Sequence, residues 1–562
     1  MRALVLALAL LVALPLAPAA APTVSRDDQP VVILGAQLPM FAVVANYVER
    51  PPALFAEEEQ DGVYLPLPAV VGQPAGAPVD ALRGRAWDGA TFHEIPFQVD
   101  ERFVRYLTNY ASGFGIYSQA DMELGYAFDI EGVRKTGEVP GQPDVAAFDG
   151  AVTTPDPVPG LDSDDEVVFL WGDAGPRAPS VPAGATELAI LDPLSQETRY
   201  VYVDIVQGDQ PRPYVTAGVE YARDADADLY IQSNHGDYGG APGGTCHEGD
   251  GVDAPLGPAV AGCSHRRPKD SATVTTPRYQ FHYAGRWKMD GIRVAEGDSF
   301  SDSLVDRWKG RAFQQREGNA ADIGGFEDEN DWTKSSVTLG EKVGPVRALR
   351  ETWGADSGTS VTRLDVFYPA GFDQVYHMRV HPIPPDGVYA FWDHSAGMVD
   401  TYYTSVRSDG VPIDGVGDEI YGTNSEWQED ALGETLFLID APDPTLSGAV
   451  ANEAWDEATG AHGTILTYIH ALRSQSGVLT PYYRDDATFF DGTGTEPGSY
   501  GAHGIHFFFT GDTDNLFLPV PTDEFVAEVH QAILPGRAPN VGAAFRATEA
   551  APFLVTAAVS AS

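Results

Sequence analysis

Residues 161–175 read "LDSDDEVVFLWGDAG". An acidic turn feeds an apolar run from Val167 to Trp171, and Gly172-Asp173 ends it. A run this short, bounded by turn residues, predicts a buried strand. The same unit recurs between 28 and 205 as "QPVVILGAQLPMFAVVANYV", "VYLPLPAVVG", "FHEIPFQVDERFVRYL", "LGYAFDIEG", "ATELAILDPL" and "TRYVYVDIV". Roughly seven to nine short strands separated by Gly, Pro and Asp predict an N-terminal β-sandwich. The stretch 136–160, "TGEVPGQPDVAAFDGAVTTPDPVPG", reads as a long Pro/Gly/Asp loop.

Segment 206–275 has little periodicity and reads as a loop-rich connection. Strands resume at 276 with "RYQFHYAGRWKMDGIRV", "SVTRLDVFYP", "DQVYHMRVHPI", "GVYAFWDHS", "GTILTYIHAL" and "YGAHGIHFFFTG". They predict a larger C-terminal β-sandwich over 276–520. The fold class is therefore all-β: two antiparallel β-sandwich domains with few helices. Two helices are expected. One spans 299–318, with Leu304 and Trp308 at i, i+4 and Gly318 as a stop. The other spans 521–536: Thr522 caps, Asp523 and Glu524 favour the first turn, and Phe525, Val529 and Ile533 form a stripe. Residues 521–562 thus read as a C-terminal helix followed by a final strand, "APFLVTAAVS".

The chain has 562 residues, with 43% hydrophobic and 10% aromatic. That supports two or three packed cores rather than disorder. Net charge is −46, from 81 acids against 35 bases. Such a surface repels nucleic acid and anionic lipid and attracts cations. Six of the bases are Lys. This fits a salt-tolerant exported protein, and high-GC codon usage gives the same bias without physical meaning.

Residues 1–21, "MRALVLALALLVALPLAPAAA", have the form of a secretory signal peptide: Arg2, an apolar stretch, then small residues including Ala17-Pro18-Ala19. No later apolar stretch reaches the ~18 residues of a membrane helix. A secreted or periplasmic location follows. In that setting Cys246 and Cys263, the two cysteines of the chain, predict one disulfide worth roughly 3 kcal/mol. His247 and His265 beside them leave a Cys2His2 metal site as the other reading, at a spacing that matches no standard zinc pattern.

Asp162, Asp164 and Glu166 stand at alternate positions and could place oxygens around calcium, the cofactor this turn suggests. Val167 occupies the EF-hand glycine position, so the loop is not an EF-hand. The alternative is a solvated acidic turn.

In "DQVYHMRVHPIPP" a strand would place Tyr376, Met378 and Val380 on one face and His377, Arg379 and His381 on the other. These are the candidate base and carboxylate-binding groups, joined by His394 of "YAFWDHSAG" and Tyr403 of "TYYTS". The alternative is a polar face paired with acidic neighbours on adjacent strands. Trp392, Trp427, Tyr482, Tyr483 and Arg484 are candidates for stacking on and hydrogen bonding to sugar, or, for the aromatics, core residues. His503 and His506 could join His377 or His381 at a metal, although H-x-x-H on a strand points to opposite faces. Motifs of serine hydrolases, P-loop and dinucleotide-binding proteins and zincins are absent from the sequence.

"IPFQVDERF" followed by "LDSDDEVVFLWGDAGPRAP" resembles exported β proteins linked in part to glycan breakdown, as does "KVGPVRALRETWG". The resemblance covers about a tenth of the chain and implies no catalytic residues. Three functions remain open. One is a secreted protein that binds or acts on extracellular polysaccharide, in a lyase-like manner. The second is a non-catalytic, calcium-stabilised surface, adhesion or envelope protein. The third is a His-ligated, metal-dependent oxidoreductase.

Overall fold

The structure, a computed structural model, describes residues 24–45, 75–106, 122–131, 135–139, 142–148, 156–206, 213–227, 230–233, 265–312, 327–329, 332–333, 336–354, 360–379, 388–404, 407–416, 427–429, 435–437, 453–473, 477–488, 498–509 and 524–559. Strand dominates, and the sheets are antiparallel. Residues 1–23, which include the expected signal peptide, and both cysteines lie outside the described residues. No helix among the described residues is long and apolar enough to cross a membrane.

The first sandwich packs a three-stranded sheet on a five-stranded one. The small sheet runs Pro30–Leu34, Glu166–Leu170, Gln98–Asp100. The larger runs Phe92–Glu94, Leu82–Trp87, Thr198–Ile205, Thr186–Leu191, Leu554–Val559. Alternation decides which side chains enter the core: Val31 and Ile33 are buried while Val32 and Leu34 are exposed. Val31, Ile33, Val167 and Phe169 from one sheet meet Leu82, Leu188, Ile190 and Val201 from the other. The expected final strand forms, and it completes this N-terminal sheet by pairing with Thr186–Leu191.

The remainder is built on a ten-stranded sheet. Its middle runs Thr401–Thr404, Glu453–Thr459, Gly463–Arg473, Glu524–Pro535, Gly371–Arg379, Ser360–Tyr368, Ala348–Trp353. One face packs against a seven-stranded sheet containing Val305–Ala312, Val388–His394 and Ser499–Phe509, and against a five-stranded sheet containing Tyr279–Tyr283 and Met289–Glu296. Phe372, Tyr376, Ile465, Ile469, Val529 and Ile533 supply that face. Trp287, Trp308 and Trp332 form an aromatic knot with centroids 5.5–6.2 Å apart, each contact worth about 0.5–1.5 kcal/mol beyond simple burial.

Both helices expected from sequence are strands instead. Residues 521–536 contain Glu524–Pro535, which pairs on both sides, with Gly371–Arg379 and Gly463–Arg473. Phe525, Val529 and Ile533 lie four apart, and that spacing satisfies a period of two as well as one of 3.6. Burial of Ala527, Val529, Gln531 and Ile533 gives the strand register. Residues 299–318 contain strands Ser299–Phe300 and Val305–Ala312. The expected loop at 136–160 includes a paired hairpin, Lys135–Val139 with Gln142–Phe148. The connection at 206–275 contributes Glu220–Arg223 and Ala272–Thr275 to a sheet. The helix described end to end is Gly542–Glu549.

The first sandwich meets the ten-stranded sheet through a buried ionic seam. Arg347 contacts Asp100 at 2.8 Å and also Glu166, and Glu166 pairs with Arg102 at 2.7 Å. Gln98 Oε1 accepts the backbone N–H groups of Val346 and Arg347, both at 2.9 Å.

Candidate functional site

On the strand Gly371–Arg379, even-numbered Phe372, Gln374 and Tyr376 face the core and odd-numbered residues face away. The outward face therefore carries Asp373 and His377. Across the ladder Asp373 is in register with His530. Their side chains meet: His530 Nδ1 lies 2.9 Å from Asp373 Oδ1. Glu528 approaches His530 Nε2 at 3.7 Å, and Glu549 approaches Nδ1 at 3.9 Å. Tyr468 stacks beside the imidazole at 5.8 Å.

Glu549 comes from the helix Gly542–Glu549, which lies over this face through Phe545 and the sheet residues Leu466, Tyr468 and Leu534. Two remote side chains hold the helix ends. Glu457 accepts N–H groups from Asn540, Val541 and Gly542 at 2.6–2.8 Å, satisfying donors that a helix start leaves free. Arg26 donates to the carbonyls of Thr548 and Ala551 at 2.9 Å.

Between the helix, the 24–30 segment and the sheet lies a small, solvent-open hollow of about 60 Å³. Its polar wall includes Asp28, Gln29, Arg278, Asp373, His530 and Glu549, and its accessible apolar wall includes Val24, Pro30 and Ala532. Arg278 pairs with Asp28 at 2.5 Å, and Gln29 donates to Glu549 at 2.5 Å. Burial alone would lower the His530 pKa. The charge and hydrogen bond of Asp373, with the Glu528 hydrogen bond, outweigh it and hold the pKa well above the usual imidazole range. Burial raises Glu549 and Asp28 above the usual carboxylate range, against the opposing charges of His530 and Arg278 respectively. The site thus offers fixed positive charge from Arg278 and His530, and carboxyl groups shifted toward neutrality.

The residues singled out from sequence are spread over several places. His377 is half-buried on the outward face, four register positions along from Asp373. Arg379 ends that strand opposite Glu524, its side chain outside the description, and His381 lies outside the described residues. Tyr403 is on the same sheet but three strands intervene, roughly 19 Å at the usual strand spacing. His394 is buried between the sheets, its Nε2 3.1 Å from His503 Nδ1, and burial lowers its pKa strongly. His503 in turn lies 3.4 Å from Asp456. The structure therefore does not bring His377, His394 and Tyr403 into one cleft.

The aromatic candidates are core residues where their side chains are described. Trp392 packs in the central core against Phe281, and Tyr482 against Phe391 at 4.6 Å. Tyr483 stacks on Tyr402 at 4.3 Å. Arg484 is buried, 3.7 Å from Asp486. Trp427 begins the strand Trp427–Glu429, its side chain outside the description.

The acid run 162–166 splits. Glu166 faces the ionic seam, where it accepts from Arg102 and Arg347, and stands apart from the turn's carboxylates. Asp164 is half-buried. Asp162 and Asp165 are buried and join Asp156, which the sequence reading did not single out. One oxygen from each of the three lies within 4.8 Å of the others, the one such group of His, Cys, Asp or Glu side chains among the described residues.

His530, Asp373 and Glu549 were missed for a clear reason. Reading 521–536 as a helix removed His530 from the sheet on which Asp373 and His377 sit.

No family model matches this chain, and no curated protein matches it.

Proposed function

We propose that this chain is an exported β-sandwich protein that binds an extracellular polysaccharide, or acts on it, in the hollow beside His530. The observation that carries the reading is the convergence of Arg278, His530, Asp373 and Glu549 beside Val24 and Pro30. Carboxylates and Arg hydrogen-bond to sugar hydroxyls, and apolar walls accept the C–H faces of the ring. Arg278 is 33% exposed and can exchange Asp28 for a carboxylate of the saccharide, which favours an acidic polymer.

In a lyase reading, Arg278 and protonated His530 neutralise the uronate carboxylate. Glu549 removes the proton α to it. The electron pair left forms the new C=C bond, the glycosidic C–O bond at the adjacent carbon breaks, and the leaving oxygen takes the proton that Glu549 removed. The second reading, a non-catalytic surface protein braced by calcium, is favoured by the buried carboxylates at 156–165.

Titration of the purified chain with polygalacturonate, alginate and a neutral glucan tests the proposal. Binding of an acidic polymer is expected, weakened at least about tenfold in Arg278→Met, the loss a charge-assisted contact of 1.4 kcal/mol or more would produce. New unsaturated ends in the ultraviolet absorbance would assign the lyase reaction. Absence of binding to any polymer, or equal binding by the variant, rejects the hollow as the site.

A further inference from the structure

We propose that the turn spanning residues 156–165 is a divalent-cation site of the hard, calcium-like class, with Asp156, Asp162 and Asp165 as its carboxylate ligands. Calcium contacts oxygen at about 2.3–2.6 Å, so two oxygens on one ion stand at most about 5 Å apart. The three carboxylates meet that condition, each with an oxygen within 4.8 Å of the others.

A second observation points to a ligand. Asp156 is 8% exposed, and its Oδ1 takes the Val158 N–H at 2.6 Å. Its Oδ2 is buried with no hydrogen-bond partner. A carboxylate oxygen in that state costs free energy unless a cation or a proton meets it. No basic side chain among the described residues forms an ion pair with the three. Arg102 gives Asp165 only its backbone N–H, at 2.8 Å, while its guanidinium goes to the Asp164 carbonyl and to Glu166.

The turn cannot splay to relieve the repulsion. Gly35 N–H binds the Asp165 carbonyl at 2.8 Å, Ala36 N–H binds that of Ser163 at 3.1 Å, and Leu161 N–H binds that of Ala77 at 2.9 Å. Asp162 N–H and Asp164 N–H are spent on Asp165 Oδ2 and Asp162 Oδ1. Neighbouring backbone thus fixes the carboxylates before any ion arrives. Burial, the leading cause, lifts Asp156 and Asp165 to about 8 and Asp162 further, and the mutual charges add to it. An all-oxygen set without His or Cys selects calcium, magnesium or manganese over zinc or copper. A ligand cage built from the protein itself favours calcium, because magnesium keeps more of its water.

The rival arrangement is three carboxyls that share protons and bind nothing. Calorimetric titration of the chelator-stripped full chain with calcium chloride separates the two, with magnesium chloride in parallel. One calcium per chain is expected, bound more tightly than magnesium, with a melting temperature that rises on addition. Loss of an outer partner alone costs about tenfold in metal affinity, so Asp156→Asn and Asp162→Asn are each expected to weaken calcium by at least that factor. Glu197→Gln, at an exposed carboxylate outside the turn, should leave it unchanged. A wild-type chain that binds neither ion, or turn variants that keep full affinity, overturns the assignment. The wild-type titration stands even if a variant fails to fold.

Discussion

Arg347 and Asp100 meet at 2.8 Å between the first sandwich and the ten-stranded sheet, and neither has appreciable contact with water. Arg347 also contacts Glu166 and donates to the Tyr368 hydroxyl at 3.1 Å. Lys342 reaches Asp100 at 3.3 Å. The charges hold Asp100 and Glu166 below the usual carboxylate range although burial opposes this.

Arg347→Met leaves two buried carboxylates short of their main cation. Breaking a buried pair from one side costs about 3–5 kcal/mol. Arg537→Ala removes a pair with Asp400 in which both side chains are over 40% exposed, and should cost less than about 1 kcal/mol. Denaturation of the two variants side by side checks this. Equal losses would mean the seam contributes no more than a surface contact.

Glu457→Ala should unseat the helix Gly542–Glu549. Three N–H groups lose their acceptor, and caps of this kind contribute about 0.5–2 kcal/mol. Because the helix carries Glu549, the polysaccharide binding proposed for the hollow should weaken with it. Hydrogen exchange of amides 540–549 is the direct measurement, and protection unchanged from wild type would contradict the capping role.

His530 makes stability depend on pH. Its folded pKa lies above its unfolded one, so its contribution is fully present below about 6.5 and is lost as pH rises through the folded value. The groups facing it are Asp373, Glu528 and Glu549, with Asp28 and Arg278 in the same hollow. Melting temperature is therefore expected to fall over that upper window in wild type and to change less in His530→Gln. Parallel wild-type and variant curves would remove His530 from the explanation.

Gly35→Ala tests how tightly the acid turn is docked. A Cβ there would stand 1.8 Å from the Asp162 carbonyl oxygen, a backbone atom that cannot rotate away. The variant should lose stability and calcium affinity together. Wild-type calcium binding in a folded Gly35→Ala chain would show that the turn tolerates displacement.

The all-β class was readable because strand periodicity is local: Val31 and Ile33 alternate with Val32 and Leu34 in the sequence as they do in burial. The same reasoning placed Tyr376 inward and His377 outward correctly. It failed at 521–536, where spacing by four fits two periods and only pairing across to 371–379 chooses between them. It failed at Glu166, whose partners Arg102 and Arg347 lie 64 and 181 positions away. Asp156 carried no local signal, since its approach to Asp162 and Asp165 exists only after folding.

The pairing of Leu554–Val559 with Thr186–Leu191 has a consequence for synthesis. The strand Thr186–Leu191 emerges hundreds of residues before its outer neighbour exists. Until then it is an unfinished edge, open to pairing with another nascent chain. Such a late, distant contact slows closure of the module. Until Leu554–Val559 is delivered, the five-stranded sheet of the first sandwich lacks its edge strand, and the module should stay open to proteases.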